Sequence, residues 1–596
     1  MPVYKAPLRE YRFLLHETFN MSQYAALPGF RDAPLDVVDA ILDEAAKLSE
    51  EVLQPLNQIG DREGCKLENG VVTTPKGFRE AYKTLVDGGW PALVADPAFG
   101  GQGLPNALGV IFNEMVSSAN MAFGMYPGLS HGAYSALLHH GTEEQKKTYL
   151  PKLVSGEWTG TMNLTEPHCG TDLGLLRTKA VPQADGSYRI TGTKIFISAG
   201  EHDLADNILH LVLARVEGAP QGIKGISLFL VPKYLLKDDG SLGARNGVSC
   251  GAIENKMGIH GNATCVLNYD EATGFLVGEE NKGMRAMFTM MNEARLGVGL
   301  QGLSQSEAAY QNAAAYAKER LQGRSLTGPK AADKPADPIL VHPDVRRMLL
   351  NAKAFNEGAR ALLVWTALQG DLSHASDDAI VREFADDMMA LLTPVVKAHL
   401  TDRGFANAVE AQQVYGGHGY IEENGLAQFV RDARIAMIYE GANGIQALDL
   451  VGRKLAANGG RAVFAFFKRV DDFLAEAGKT EKLAPFVVAL SAARKDLEAA
   501  TMWFMENALQ NPDNAGAGST DYLHLFGVTA VTFMWSLMAK AALEKLDGAA
   551  EDKSFYETKL KTGLFYVERV APETALYLAR IRIGAAPLMA FGADEF

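Results

Sequence analysis

An α+β fold, with helices and strands in separate blocks, is predicted by three observations. Apolar residues recur at helical spacing before about residue 160, short β-branched runs replace them up to about 282, and helical spacing then returns and holds to the C-terminus. Segregation of this kind argues against an alternating βαβ sheet, and no glycine cluster sits between a strand and a helix as a Rossmann fingerprint requires. At 596 residues the chain is long enough for three or four domains. The blocks give an N-terminal extension (1–34), a helical domain (35–159), a β domain (160–282), a helical bundle (283–455) and a further helical domain (456–596).

The first helical block contains Asp36-Val-Val-Asp-Ala-Ile-Leu-Asp-Glu-Ala-Ala-Lys-Leu at helical spacing, and Thr142 with Gln145 forms a capping-box pattern. Phe99-Gly-Gly-Gln-Gly-Leu-Pro is a loop. In the β block, the runs from Tyr188, Ile208 and Gly225 read as strands, with Asp185-Gly186 as a hairpin turn. Residues 327–340, rich in Pro, Lys and Asp, predict an exposed loop, and Asn511-Pro-Asp-Asn-Ala-Gly-Ala-Gly predicts a linker. Leu523 to Ala539 is the most apolar stretch. It is short for a spanning segment and carries His524, Thr529, Thr532 and Ser536, so a buried helix is expected and no integral membrane segment.

Net charge is −14, from 71 Asp+Glu against 57 Lys+Arg. Such a balance opposes broad binding to nucleic acid or anionic membrane. The four cysteines, Cys65, Cys169, Cys250 and Cys265, form no Cys-x-x-Cys pair and no disulfide framework, which suits a reducing compartment. The first residues resemble neither a secretory signal nor an acid-poor transit peptide, so a cytoplasmic location is expected.

Three constellations can carry chemistry. In Leu164-Thr-Glu-Pro-His-Cys-Gly-Thr-Asp172, hydroxyls flank a Pro-Gly turn that can offer hydroxyl and backbone donors to a ring carbonyl or phosphate; a loop closing a sheet edge is the plainer alternative. In Lys194-Ile-Phe-Ile-Ser-Ala-Gly200, strand alternation puts Phe196 and Ser198 on one face, which suits a flat heterocycle, although a strand aromatic is by default core. The third is Gln413-Val-Tyr-Gly-Gly-His-Gly-Tyr420 with Ile438-Tyr-Glu-Gly-Ala-Asn-Gly-Ile-Gln446. Its glycines allow close approach of a ligand, His418 has no second ligand at metal spacing, and Glu440 is either a carboxylate aimed into a dry pocket or a helix-start cap. No metal is expected.

Together these segments resemble the acyl-CoA dehydrogenase family from about Leu35 to Leu455. The resemblance implies a middle β-barrel or sandwich, a four-helix bundle and bound FAD. Leu164, Thr165, Gly170 and Thr171 match the first flavin motif; Phe196 and Ser198 match the strand beside the flavin, where Trp and Thr are more usual. Gln413, Gly416 and Gly417 match the second motif, and Arg320 matches an arginine that reaches the FAD diphosphate of a neighbouring subunit. Glu440 matches the catalytic base, Gly441 beside it a substrate contact, and Arg295 of Asn292-Glu-Ala-Arg295 a contact to CoA. Departures occur at Cys169, where Gly, Ser or Ala is common, at Ala442 in place of Thr, and at Gln428 in place of a basic residue.

The implied reaction removes an α-proton from an acyl-CoA by Glu440 while FAD accepts a hydride from the β-carbon. The backbone N–H of Glu440 and a ribityl hydroxyl are expected to hold the thioester oxygen, and the shielded carboxylate is expected to have a raised pKa. An electron-transferring flavoprotein is the expected acceptor and a homodimer the expected assembly, because the extra C-terminal helices resemble those of long dimeric members. That length, with the extension Tyr4-Lys-Ala-Pro-Leu-Arg-Glu-Tyr-Arg-Phe, resembles a branch that includes enzymes acting on 3-(methylthio)propionyl-CoA. Alternatives are an acyl-CoA oxidase, a medium- or long-chain enzyme, and a nucleic-acid-associated relative. The last predicts a basic C-terminal region, yet residues 451–596 carry 17 Lys+Arg and 18 Asp+Glu.

Overall fold

The computed structural model describes residues 2–548 and 551–596, which divide into two compact units, one of residues 44–104 and 115–297 and the other of residues 1–43, 105–114 and 298–596.

In the first unit the sheet strands are β1 (Trp158–Asn163), β2 (Lys179–Pro182), β3 (Tyr188–Ser198), β4 (Asn207–Val216), β5 (Ile226–Pro232), β6 (Val248–Ile253) and β7 (Thr264–Val277). The pairings β7–β3, β3–β2, β2–β4, β4–β5 and β5–β7 close into a ring; β6 adds to β7 and β1 adds to β4. Only β1–β4 and β2–β4 are parallel. The β2–β3 hairpin turns at Asp185-Gly186, where Gly186 has φ +83.

Strand alternation gives this unit two cores. Leu209, Leu211 and Leu213 of β4, with Ile226, Leu228 and Leu230 of β5, pack against Leu137, Leu150, Leu153 and Met287 of the helices. Their neighbours Val212, Ala214, Phe229 and Val231 face Ile190, Leu267 and Tyr269 inside the ring. These strands therefore read as nearly unbroken apolar runs, since both faces are covered. Thr142 and Gln145 make the expected reciprocal capping box at the helix Glu143–Val154. The helix Asn106–His140 is kinked at Asn120, whose side chain accepts from Phe123 N at 3.1 Å and restarts the following turn.

The second unit is helical. The helices Pro343–Ala375 and Ala379–Val414 lie beside the long helix Pro512–Asp547. Trp535 Nε1 of that last helix donates to Ala354 O at 3.1 Å, and a Cβ at Gly358 would stand 2.6 Å from Val531, so glycine permits the close crossing. Thus residues 456–596 share one compact body with the bundle. The helix Pro512–Asp547 is the one helix among the described residues long and apolar enough to span a membrane, but 89% of its most apolar window is buried within the protein.

The expected linker at 511–518 is not one. Asn511 caps the helix Pro512–Asp547 by accepting from Asp513 N at 3.1 Å, and Pro512 occupies the first turn, where its missing N–H costs nothing. Gly518 is a packing residue, because a Cβ there would come 2.9 Å from Phe504. The loop at 327–340 is present but is organised around buried Asp337. Its carboxylate accepts from the backbone of Ser325, Lys330 and Ala331 at 2.9, 2.9 and 2.7 Å, and those bonds, the Ser325 bond foremost, hold its pKa at about 2.

The N-terminal extension belongs to this unit. Asn312 reads the backbone of Val3 through two bonds of 2.9 Å, and Gln311 does the same to Lys5 at 2.9 and 2.8 Å. Arg9 bonds Tyr556 at 2.9 Å and lies 4.0 Å over the Phe555 ring. Buried Lys559 joins Glu10 of the extension to Glu357 of the bundle. Lys559→Met is expected to lower stability by about 3–5 kcal/mol, read as a lower urea midpoint, because two carboxylates lose a shared cation. Adding Glu10→Gln should recover part of the loss; a double variant no more stable than the single would contradict this.

Candidate active site

The first unit carries the Leu164–Asp172 segment directly after β1, and a buried ion pair fixes its path. Glu166 is 3% and Lys194 0% exposed, with Lys194 Nζ 2.8 Å from Glu166 Oε1 and 2.9 Å from Leu164 O. The second Glu166 oxygen accepts from Arg177 N at 2.7 Å, while Thr178 donates to the first through its hydroxyl and its backbone. Burial pushes the Glu166 carboxyl up, but Lys194 and these donors hold it below its ordinary value. Glu166 and Cys169 exchange backbone bonds of 2.9 and 3.1 Å, making a tight turn that leaves Gly170 and Thr171 exposed and Thr165 half-buried. Asp172 caps the short turn Leu173–Leu175 by accepting from Gly174 N.

Lys194 also decides how β3 ends. Alternation places Lys194, Phe196 and Ser198 on one face, yet Lys194 is buried and Phe196 is 58% exposed. A bulge separates them: between the pairs Leu267↔Lys194 and Cys265↔Ile197, β3 has one residue more than β7. Phe196 takes φ +59 and Ala199 φ +55, so the strand turns over and presents the Phe196 ring outward. A bulky residue at positive φ costs of order 1–3 kcal/mol and persists only where its surroundings impose it. Phe196 is therefore not core.

The second unit carries the glycine-rich segment after the helix Ala379–Val414. Gly416 has φ +58, and a Cβ on it or on Gly417 meets nothing within 4 Å. Gly419 is glycine for the opposite reason, since a Cβ there would stand 2.3 Å from Gln412 O. Gln413 is exposed. Tyr316 stacks on Tyr415 at 4.0 Å and bonds His418 Nδ1 at 2.9 Å. Arg320 N closes a turn onto Tyr316 O at 2.8 Å, so exposed Arg320 lies at the same end of the unit as Gly416 and Gly417. His418 lies in the short 3-10 helix Gly416–Tyr420, not in a loop, with an aromatic partner.

Glu440 lies in the loop between the helices Leu426–Ile435 and Asn443–Asp449 and takes φ +57, followed by Gly441 at φ +84. It is thus not in the first helical turn as a cap would be. Four contacts impose the strained backbone. Asn443 N donates to Met437 O at 3.1 Å, buried Gln446 donates to the carbonyls of Glu440 and Gly441 at 3.2 Å each, and the Tyr439 hydroxyl bonds Gln301. Burial, then the Glu440 charge, push the Tyr439 phenol above its ordinary value, so it stays a neutral donor.

Arg295 lies on the helix Gly283–Glu319, buried, with Nη1 3.4 Å from Asn292 Oδ1 and its guanidinium 5.8 Å from the Phe288 ring. Glu166, His168 and Cys169 cluster tightly enough to suggest a metal, but Glu166 already serves Lys194, Thr178 and Arg177. The residues missed from sequence are Lys194, Glu166, Gln446 and Asn443. Their signal is their place inside the recognised motifs, where each is a polar type among residues read for other roles.

Comparison with known proteins identifies the family. Residues 38–157, 161–272 and 281–455 match the families described as acyl-CoA dehydrogenase N-terminal domain, middle domain and C-terminal domain, and residues 466–592 match acetyl-CoA dehydrogenase C-terminal like. A 3-methylmercaptopropionyl-CoA dehydrogenase of Ruegeria pomeroyi is 44% identical over 97% of this chain and 98% of its own length. A butyryl-CoA dehydrogenase of Syntrophomonas wolfei is 36% identical over 96% of this chain and 95% of its own. Caenorhabditis elegans ACDH-11, solved with C11-CoA, shares the fold at a TM-score of 0.77 and 21% identity, covering 96% of this chain and 92% of that one. The chain belongs to the acyl-CoA dehydrogenase family.

Proposed function

We propose that this chain is an FAD-dependent dehydrogenase of short-chain acyl-CoA thioesters acting on 3-(methylthio)propionyl-CoA, with Glu440 as the base. The observation that carries it is Glu440 itself, a carboxylate held at positive φ by Asn443, Gln446 and Tyr439 on the expected loop. Within each unit the side chains present suit parts of a dinucleotide. In the first unit Phe196 offers an exposed ring face and Thr165, Thr171 and Ser198 supply hydroxyls for a flat ring. In the second unit Gly416 and Gly417 leave open space for a backbone approach and Arg320 offers a cation for a diphosphate.

FAD, when bound, supplies a hydride acceptor that no side chain can. Glu440 takes the α-proton onto its carboxylate, and its own backbone N–H holds the thioester oxygen, where negative charge grows as the C–H bond breaks. The left-handed backbone aims both groups at once, and Gly441 allows the thioester to come close. Arg295 contacts CoA. The product is a trans-2-enoyl-CoA; electrons pass to an electron-transferring flavoprotein, and the enzyme is a cytoplasmic homodimer in which Arg320 reaches the partner's cofactor.

The short-chain assignment is supported by the Ruegeria and Syntrophomonas relatives, whose names specify a methylthio and a four-carbon substrate. A thioether is nearly isosteric with a methylene, and one methylene in an apolar pocket is worth about 1–3 kcal/mol, so discrimination between the two should be modest.

Glu440→Gln is expected to remain yellow and FAD-bound while losing at least about 10²-fold in kcat, since the shape is kept and the proton acceptor is gone. Near-normal turnover would remove Glu440 from the mechanism. Arg320→Ala should shed FAD on dialysis, measured by flavin absorbance, while light scattering reports the dimer. A wild-type monomer that holds FAD fully contradicts the cross-subunit role. Across an acyl-CoA series assayed with electron-transferring flavoprotein, kcat/KM should peak at the methylthio and four- to six-carbon thioesters. A maximum at palmitoyl-CoA overturns the substrate, and stoichiometric peroxide overturns the acceptor.

A further inference from the structure

The loop that carries Glu440 is fastened to the C-terminal helices by a chain of polar contacts. Asn443, three residues after Glu440, is gripped by the helix Ala379–Val414. Its Oδ1 accepts from buried Lys397 Nζ at 2.8 Å, and its Nδ2 donates to Asp402 Oδ1 at 2.7 Å and to Thr401 Oγ1 at 3.0 Å. The other Asp402 oxygen, Oδ2, lies 3.1 Å from Nε2 of His524 on the helix Pro512–Asp547. The opposite ring nitrogen, Nδ1, meets Nδ1 of buried His399 at 3.1 Å, and Tyr577 stacks on the same ring at 5.9 Å. Gly527, one turn beyond His524, makes this possible, because a Cβ there would stand 2.3 Å from the His399 ring.

We propose that His524 is a positioning residue for the reaction: through Asp402 and Asn443 it fixes the loop that holds Glu440, and so gives residues 456–596 a part in catalysis. This rests on Glu440 being the base. Asp402 sits between Asn443, which donates to its Oδ1, and the His524 ring, which lies 3.1 Å from its Oδ2. Without His524 the carboxylate keeps only its bond to the Asn443 side chain, and Asn443, whose backbone N–H closes the loop onto Met437, is held by one constraint fewer. A displacement of about 1 Å at a reacting group costs on the order of 10²-fold in rate, so partial loosening should be visible in kcat and not in binding.

The test measures the full-length, FAD-loaded enzyme with butyryl-CoA and an artificial electron acceptor. His524→Phe should lower kcat about tenfold with KM held within about twofold and FAD content unchanged. His524→Gln, whose amide N–H reaches the place of Nε2–H, should restore kcat to within about twofold of the wild type. Asp402→Asn should fall as His524→Phe does, and the double variant should fall no further, since both changes cut one chain of contacts. The proposal is overturned if His524→Phe keeps wild-type kcat, if the glutamine variant falls as far as the phenylalanine, or if the two losses multiply. Glu440→Gln in the same assay separates the cases: its retained activity would remove the base, whereas its loss beside an unaffected His524→Phe would remove only the positioning role.

Discussion

The helical unit is organised around cations that water does not reach. Arg360 is buried, with its Nε 2.8 Å from Glu114 and an Nη 3.0 Å from Glu307, and its plane faces the Tyr11 ring. One helical turn away, Glu357 meets Lys353 of its own helix and Lys559 of the C-terminal helices, and Lys559 also holds Glu10. Desolvating these groups costs several kcal/mol per ion, which only complete pairing offsets. Burial pushes Glu10 and Glu357 up alike, but Glu357 answers to two cations and is held down, whereas Glu10 has one beside a second carboxylate and stays raised. The arrangement is stable only when the extension, the bundle and the C-terminal helices are all in place. That is why residues separated by more than 500 positions fold into one body, and why a division at residue 455 by sequence does not appear as a gap in packing.

The same principle operates at smaller scale in the two strained segments. Of nine non-glycine residues at positive φ among the described residues, four are Asn, which tolerates that region. Phe196 and Glu440 do not, and both lie in segments chosen for chemistry. Each is held by buried polar neighbours: Lys194 and Glu166 anchor the end of β3, while Gln446, Asn443 and Tyr439 anchor the loop of Glu440. Ala199, Ile259 and Glu271 also take positive φ, so strain marks Phe196 and Glu440 only together with the motifs they lie in.

Much of this was legible in the sequence. Periodicity locates the helical and β blocks, Thr142 and Gln145 announce a real capping box, and the flavin-motif and Glu440 segments fall on loops and strand ends, while Gln413 and Arg295 lie on helices. Three features were not legible. The linker at 511–518 looks flexible by composition, since glycine that permits packing and glycine that permits motion are the same letter, and only Phe504 across from Gly518 distinguishes them. Strand alternation at 194–198 failed because a bulge adds one residue, and a bulge depends on the partner strand. Nothing in the sequence marks Lys194 as buried. Its burial depends on Glu166, which lies 28 positions away and meets it only after the sheet has formed.

The C-terminal helices show how an added domain comes to matter to chemistry that its own residues do not perform. Covering the bundle with the helix Pro512–Asp547 removes water from His399, and burial, then His524 and Arg403, keep that imidazole neutral. A neutral buried imidazole needs a partner, and His524 is the group in reach. The other ring nitrogen of His524 lies 3.1 Å from Asp402, whose remaining oxygen accepts from Asn443. This series of contacts ends three residues from Glu440. A domain that covers apolar surface of the bundle is thereby coupled to the loop that carries a carboxylate.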